Sequence, residues 1–455
     1  MNHTRRRPSI NDHDHLVYGG SDVVELARRY GTPLHVVDES ALRRNYRAFL
    51  GAFRLAYREV SVFYSYKTNC VPGVLGILHE EGCGAEVVSP YELWIATRLR
   101  VPPSRIIYNG VNKSVDDLRE AIQHGVGLIN VDSAGELHRL SDAAKALNRR
   151  VNVGLRIDPA VGWVAHFGLS PDVDRIAALV ETAGENRLLN IRGLHAHMGS
   201  GIRDTRDYRK AVEVMARLSC KLRETSGIQI DQFDVGGGFG LPTVKTLTLR
   251  ETVGYKLLNR PPPEPQVGSC PSIESFGQVI TSVLRECCAR YALREPRLLL
   301  EPGRAITGNA QILLVTVCEI KRRKNGTAYA ITDGGMQNIA FPLSYEYHTC
   351  LLANRVGAPS TERYFVTGPL CSPEDLLYRN WKLPELREGD VLAIMDAGAY
   401  FTSFANNFSY PRPPVVTVSD GVSRLVRQRE TFEQMTAVDT FPDPLSRAPG
   451  GTGLP

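Results

Sequence analysis

Eight short apolar runs recur along the first two-thirds of the chain, and helix-like segments separate them. That repetition limits the folds open to it. The runs are "VSVFYSYK" (60–67), "GAEVVS" (84–89), "RIIYNG" (105–110), "LINVDS" (128–133), "VNVGLRI" (151–157), "IRGLHAHM" (191–198), "QFDVGG" (232–237) and "RLLLEPG" (297–303). Most are rich in Val, Ile and Leu with little alternation, the texture of strands buried on both faces. Segments such as "VDDLREAIQHG" and "AGELHRLSDAAKALN" lie between them. Strand and helix alternating eight times predicts an α/β chain built on a (β/α)8 TIM-like barrel. Reacting groups in that fold gather at the C-terminal ends of the strands. The runs are chosen on hydrophobicity alone, yet the distinctive polar residues fall at those ends: Lys67, Glu86, Arg156, His197, the Gly236–Gly238 triplet, Glu301 and Arg304.

After Arg304 the texture changes. "AQILLVTVCEIKR", "TAYAITDGG", "RYFVTGP" and "GDVLAIMDAGAY" read as strands with turn signals and few helices between them. "TPLHVVDES" (32–40) reads as an extra strand before the barrel. The expected organisation is an N-terminal segment, 1–40, packing with a C-terminal β-rich domain, 306–440. The barrel occupies 41–305, and a frayed tail, 441–455, closes the chain. "NRPPPEPQVGSCPS" (259–272) reads as a surface loop delaying the eighth strand.

Composition excludes several classes. Among 455 residues, 43% are hydrophobic and 23% charged, ordinary for a soluble globular enzyme. The net charge of +5 is small for this length, and "RRR" (5–7) and "KRRK" (321–324) are too short to suggest nucleic acid. No stretch approaches the roughly 18 apolar residues of a membrane span. The first twenty residues lack the apolar segment of a secretory signal. Nine cysteines without regular spacing or a CxxC pair fit reduced thiols in a cytoplasm, with no zinc or other metal site expected.

Each motif has a bland reading beside its chemical one. Lys67 follows a strand, where a buried ammonium is costly unless paired or neutralised; it either points to solvent or is bonded to something. "DVGGGFG" frees backbone N–H groups to approach an anion, helped by a helix N-terminus if the loop enters one, though tight turns use glycine anyway. "HAHMGSG" offers Ser200 and Gly201 as further phosphate contacts and the flat ring of His197, which is equally a candidate core histidine. "EPGRAI" sets Glu301 and Arg304 three residues apart. They are either an internal ion pair, or Glu301 holds a proton on a heteroaromatic nitrogen while Arg304 addresses a phosphate or a substrate carboxylate. Cys371 in "GPLCSPED" and Tyr400 in "DAGAYFTSFANNF" stand out in the β-rich part, where inert core roles compete. Taken together, an amine, a phosphate cradle, a stacking ring and a carboxylate for a ring nitrogen describe a pyridoxal 5'-phosphate site. Lys67 would then be neutral because it is condensed with the cofactor aldehyde.

With these motifs in this order, the sequence resembles the fold-type III pyridoxal-phosphate decarboxylases, such as diaminopimelate and ornithine decarboxylase. The likeness runs from "TPLHVVDE" to "YPRPPVV". "YSYKTN" resembles the Schiff-base lysine motif, and "GAEVVSPYEL" the segment that puts an acidic residue, here Glu86, beside the site. "HAHMGSG", "DVGGGFG", "EPGR", "GP-C" and "DAGAY" resemble the ring-stacking, phosphate, pyridinium, proton-donor and cross-subunit tyrosine motifs. The resemblance implies a homodimer with shared sites, in which Cys371 and Tyr400 serve the partner's lysine. It also implies loss of an α-carboxylate from an amino acid, with Cys371 or Lys67 returning the proton.

The sequence departs from the family at the substrate's far end. Diaminopimelate decarboxylases carry an arginine after "DGGM"; here the ungapped match in "DGGMQNIAFPLSYEYH" is Phe341, while Tyr345 fits the tyrosine that follows. The acidic residue expected after the cysteine is Ser372, with Glu374 or Asp375 as candidate substitutes. A lost bidentate clamp costs recognition energy. The expectation is therefore an amino acid or carrier-linked conjugate with an altered tail, in siderophore or other secondary metabolism. Diaminopimelate decarboxylation is the alternative. An alanine-racemase-like isomerase would lack "EPGR" and "GP-C", and an inactive regulatory homologue would be expected to lose Lys67 or the glycine loop; all are present.

Overall fold

Pairing of the eight runs follows chain order. The computed structural model describes residues 9–162, 166–170, 172–184, 186–266 and 268–440. Strands Val60–Ser65, Gly84–Val87, Ile106–Tyr108, Leu128–Val131, Val151–Arg156, Leu189–His195, Gln232–Asp234 and Arg297–Leu300 form a closed barrel. All pair in parallel, and the eighth closes on the first through Leu298–Leu300 against Val60–Val62. A parallel sheet needs crossover helices, and local sequence starts them cleanly. Ser89, Ser114 and Ser133 each accept a backbone N–H at the N-terminus of helices Pro90–Arg98, Val115–His124 and Ala134–Leu147. Leu118, Ala121 and Ile122 are the buried stripe of the second of these.

The β-rich part is a nine-stranded sheet. Its centre includes a strand from the start of the chain: Leu34–Asp38 runs antiparallel to Gln311–Leu314 and parallel to Val415–Val418. Leu34 and Val36 are fully buried there with Ile312, Leu314, Val416 and Val418. The fold is thus the expected TIM-like barrel with a β-rich part that takes in the N-terminal strand. Residues 441–455, expected as a frayed tail, and the "RRR" run at 5–7 lie outside the described residues. No helix among the described residues is long and apolar enough to cross a membrane.

One aromatic cluster joins the barrel wall to the loop after the seventh strand. Phe239 is 1% exposed, and its ring packs at 5.1 Å against Phe49, 5.1 Å against Tyr208 and 5.4 Å against Phe276. This anchor directly follows the glycine triplet. Phe239→Ala should cost about 4 kcal/mol through lost burial and the cavity left behind. In urea the unfolding midpoint should fall with the slope unchanged, since the exposed area hardly differs.

Candidate active site

At the end of the first strand the chain tightens into a short 3-10 turn, Tyr66–Thr68, and that turn sets Lys67 at the mouth of the barrel. The Lys67 side chain is 35% exposed, and its Nζ donates to Glu86 Oε2 at 2.9 Å. Ser65 Oγ donates to the same oxygen at 2.6 Å. Burial alone would strip the ammonium of its proton, but Glu86 and then Glu301 outweigh it and raise the amine above its usual range. In the free protein Lys67 is therefore a paired cation. It is not a solvated surface lysine, and the neutral nitrogen expected from the sequence is that of the condensed imine.

Glu301 stands beyond the eighth strand, 2% exposed. Asn109 Nδ2 donates to its Oε1 at 2.6 Å, and His195 Nε2 lies 3.4 Å from Oε2. Asp234 completes this group, with His195, Asp234 and Glu301 offering ligand atoms within 4.8 Å of one another. Burial pushes the Asp234 carboxyl well up, and the Glu301 charge pushes it further. Burial also works against Glu301, but His195, the Lys67 ammonium and a hydrogen bond from Asp234 carry it below the ordinary carboxylate range.

The glycine triplet lies against His197. Gly236 and Gly238 have φ of +68° and +91°, a backbone that glycine adopts without strain. A Cβ on Gly237 would fall 2.1 Å from Glu301 O, and one on Gly238 would fall 2.3 Å from Gly199 O. Gly237 N–H donates to His197 Nδ1 at 3.2 Å, which leaves the proton of the neutral ring on Nε2. Burial, and after it the Lys67 charge, lowers His197 to about 3, so the ring is uncharged near neutrality. Ser200 is half-buried two residues beyond the Met198 that follows this ring. The helix dipole expected behind the triplet is absent: the chain continues through Phe239, which bridges to Ile202, and the next helix begins only at Leu249.

Several predicted residues are engaged otherwise than expected. Arg304, expected to reach a phosphate or substrate carboxylate, is 6% exposed and paired through both Nη atoms with Glu346 at 2.9 and 2.6 Å. His348 Nε2 lies 3.3 Å from Glu346, and the Arg304 Nε is buried without a partner. Tyr400 was expected to serve a second subunit. Within the chain its backbone N–H donates to Thr68 O at 2.8 Å, and its ring lies 5.4 Å from the Arg304 guanidinium. That backbone, at φ +69°, is costly for a tyrosine. Arg156 ends the fifth strand and pairs with Asp132 at 3.1 Å beneath the Phe167 ring.

The candidate tail residues sit on loops of the β-rich part. Phe341, 44% exposed, packs edge-on to Tyr345 at 5.6 Å and against Phe404 at 5.1 Å. Cys371 is exposed. Ser372 Oγ accepts Glu374 N–H at 3.3 Å, closing a turn. Asp375 cannot serve as the missing anchor, because its carboxylate accepts the N–H groups of Met336 and Leu370 at 2.7 Å each and is 3% exposed. Glu374 is exposed.

Reading strand ends for conspicuous charge passed over Ser65, Asn109, Asn130, His195, Asp234 and the distant Glu346 and His348. The first five stand inside the quoted runs or directly beside them, at the same ends as the residues that were chosen.

These groups fit pyridoxal phosphate. A mobile amine, a backbone cradle that side chains would fill, a carboxylate held ionised and a neutral flat ring meet at one mouth, with an unpartnered guanidinium N–H nearby. Fold and site together define a barrel enzyme of the pyridoxal-phosphate type. Comparison with known proteins agrees. The family described as pyridoxal-dependent decarboxylase, pyridoxal binding domain, matches residues 39–308. A diaminopimelate decarboxylase of Methanothermobacter thermautotrophicus is 37% identical over 95% of this chain and 97% of its own, and one of Bacillus subtilis is 32% identical over 94% and 96%. The crystal structure of diaminopimelate decarboxylase from M. jannaschii in complex with L-lysine superposes with a TM-score of 0.85 at 30% identity, covering 97% of this chain and 98% of that one. The chain belongs to the pyridoxal-dependent decarboxylases and is a carboxy-lyase that uses pyridoxal phosphate.

These relatives overturn the expectation of a siderophore or secondary-metabolite enzyme, since they bear the name diaminopimelate decarboxylase over nearly the whole chain. That expectation rested on Phe341 and Ser372. Both also make local contacts, Phe341 with Tyr345 and Phe404 and Ser372 within a turn.

Two measurements test this electrostatic account. Unfolded histidine binds a proton near pH 6.5, whereas folded His197 resists until about pH 3, so stability falls as pH drops through that window. His197→Gln should flatten that slope by up to about one proton, read from denaturant unfolding at stepped pH. Glu346→Gln leaves Arg304 buried beside a neutral amide and should cost about 3 kcal/mol, read from the same unfolding curves near neutral pH.

Proposed function

We propose that this protein decarboxylates meso-diaminopimelate, and that the residues gathered at the barrel mouth carry the reaction. The observation behind the decarboxylase chemistry is the Lys67 ammonium held against buried Glu86 with Glu301 close enough to raise it. The substrate reading rests on the relatives, which align over more than nine-tenths of the chain.

When bound, pyridoxal phosphate supplies an electron sink for the pair left by the departing carboxylate. Lys67 would carry the cofactor through its Nζ and, once the substrate's α-amine takes its place, hold or return a proton at that atom. Glu301, kept ionised by its neighbours, would hold a proton on the ring nitrogen. His197, neutral and flat, would lie against the ring without opposing its positive charge. Gly236 and Gly237 give their N–H groups to Asp234 Oδ1 and His197 Nδ1, so the triplet would serve the phosphate by leaving room for it, with the Gly238 N–H and Ser200 as donors. Arg304 has one N–H to add, and Tyr400 stands beside it. Glu86 orients Lys67, and Arg156 stiffens the neighbouring strand end through Asp132. Phe341, Tyr345 and Ser372 would line the approach of the substrate's far end.

We further infer a homodimer in which Cys371 reaches the site of a second copy as proton donor. Among the described residues it makes no hydrogen bond to the barrel mouth, and it is exposed on its loop. All nine cysteines are free, which supports a reducing, cytoplasmic setting.

The direct test is carbon dioxide release from meso-diaminopimelate by the purified enzyme supplied with the cofactor. Turnover that disappears, together with the cofactor's absorbance band, in Lys67→Ala is the expected result. A coloured enzyme that leaves this substrate intact would refute the substrate. A colourless one would refute the site.

A further inference from the structure

One side chain at the barrel mouth touches both carboxylates on which the proposed site relies. Asn109 follows the third strand and is 3% exposed. Its Nδ2 donates one hydrogen to Glu86 Oε1 at 2.9 Å and the other to Glu301 Oε1 at 2.6 Å. Its Oδ1 accepts from Asn130 Nδ2 at 2.7 Å. We propose that Asn109, oriented by Asn130, is the positioning residue that lets Glu86 and Glu301 stand side by side, by giving one amide hydrogen to each.

Two buried carboxylates brought to one place ordinarily share a proton, because both cannot be charged side by side. Glu301 provides the contrast within this protein. Toward Asp234 no amide intervenes, and there burial and then the Glu301 charge push the Asp234 carboxyl well up. Toward Glu86 the amide supplies a hydrogen to each side. Glu86 also accepts Lys67 Nζ and Ser65 Oγ, so each of these three hydrogen-bond partners is a donor.

The orientation of the amide decides its effect, since a flipped Asn109 would aim an oxygen at two carboxylates. The two carboxylates therefore fix its direction, and Asn130 Nδ2 reinforces it by donating to Oδ1. Asn130 in turn needs room beside the fifth strand: a Cβ on Gly154 would lie 1.8 Å from Asn130 Oδ1. This accounts for a glycine inside a buried strand, where it otherwise weakens packing. Lys113 holds both backbones. Its Nζ donates to Asn109 O at 3.3 Å, Gly110 O at 2.7 Å and Asn130 O at 3.1 Å, and pairs with Glu136 at 2.7 Å. The charged and titratable groups around the carboxylate pair are then Lys67, His195, His197, Asp234, Glu92, whose carboxyl is pushed up to about 7 by burial and then by Glu86, and, behind the asparagines, Lys113 with Glu136.

This inference rests on the reading of Glu86 and Glu301 as cofactor partners, and its test separates the two. Asn109→Asp is nearly isosteric but replaces two donor hydrogens with acceptors. Infrared spectra of the purified enzyme should gain a band of a buried protonated carboxyl beyond that of Asp234. Affinity for pyridoxal phosphate should fall about tenfold or more, and the pH midpoint of the bound cofactor's absorbance should move. Gly154→Ala adds no charge and touches neither carboxylate, yet it should shift the same midpoint by displacing Asn130. If Asn109→Asp does not fold, Gly154→Ala alone decides. A Gly154→Ala enzyme with wild-type cofactor affinity and absorbance midpoint overturns the proposal, as does an Asn109→Asp enzyme without the new carboxyl band. Failure of the wild-type enzyme to bind the cofactor would instead strike the reading of the site.

Discussion

The ion pair between Lys67 and Glu86 is the constraint around which the barrel mouth is arranged. A carboxylate with no exposed surface is tolerated only where donors surround it. Three do so here, from the ends of the first and third strands. The other polar residues follow from the same requirement. Glu301 needs donors and finds Asn109, Asp234 and His195. Asn109 needs an acceptor's counterpart and finds Asn130. Removing one member would leave a buried group unpaired, so the cluster is specified as a unit.

Parallel pairing makes this arrangement possible at small cost to the wall. The register sets Ser65 beside Glu86, and His195 between Arg156 and Asp234, so polar residues meet at one level while apolar ones fill the barrel below. Leu128, Ile107, Phe63 and Leu299 form a small apolar group of their own. The low-dielectric floor they provide strengthens the electrostatics above it.

Much of this was legible in the chain because a strand buried on both faces has a distinctive texture. Each of the eight runs became a barrel strand, and Lys67, Glu86, His197, Gly236 and Glu301 do meet at one mouth. Asn109 and Asn130 were missed for a physical reason: an amide has no charge to attract notice, and its worth lies in which way it points, which depends on neighbours far apart in sequence. The pairing of Arg304 was not legible because its partner Glu346 lies 42 residues away on another part of the fold.

The position of Tyr400 also explains why barrel and sheet are inseparable in function. The turn that carries Lys67 has few internal hydrogen bonds of its own, since a 3-10 turn of three residues leaves its carbonyls largely free. The β-rich part satisfies them: Tyr400 N–H and Ser403 Oγ both donate to Thr68 O, and Thr402 Oγ1 donates to Asn69 Oδ1. Asn69 Nδ2 then donates to Gln311 at the start of the long strand that also pairs with Leu34–Val37. A lysine at the end of a free barrel strand would sample many directions. Braced from the sheet by its two neighbours, it has one, and the bracing reaches back through Gln311 to the strand that enters the sheet from the start of the chain.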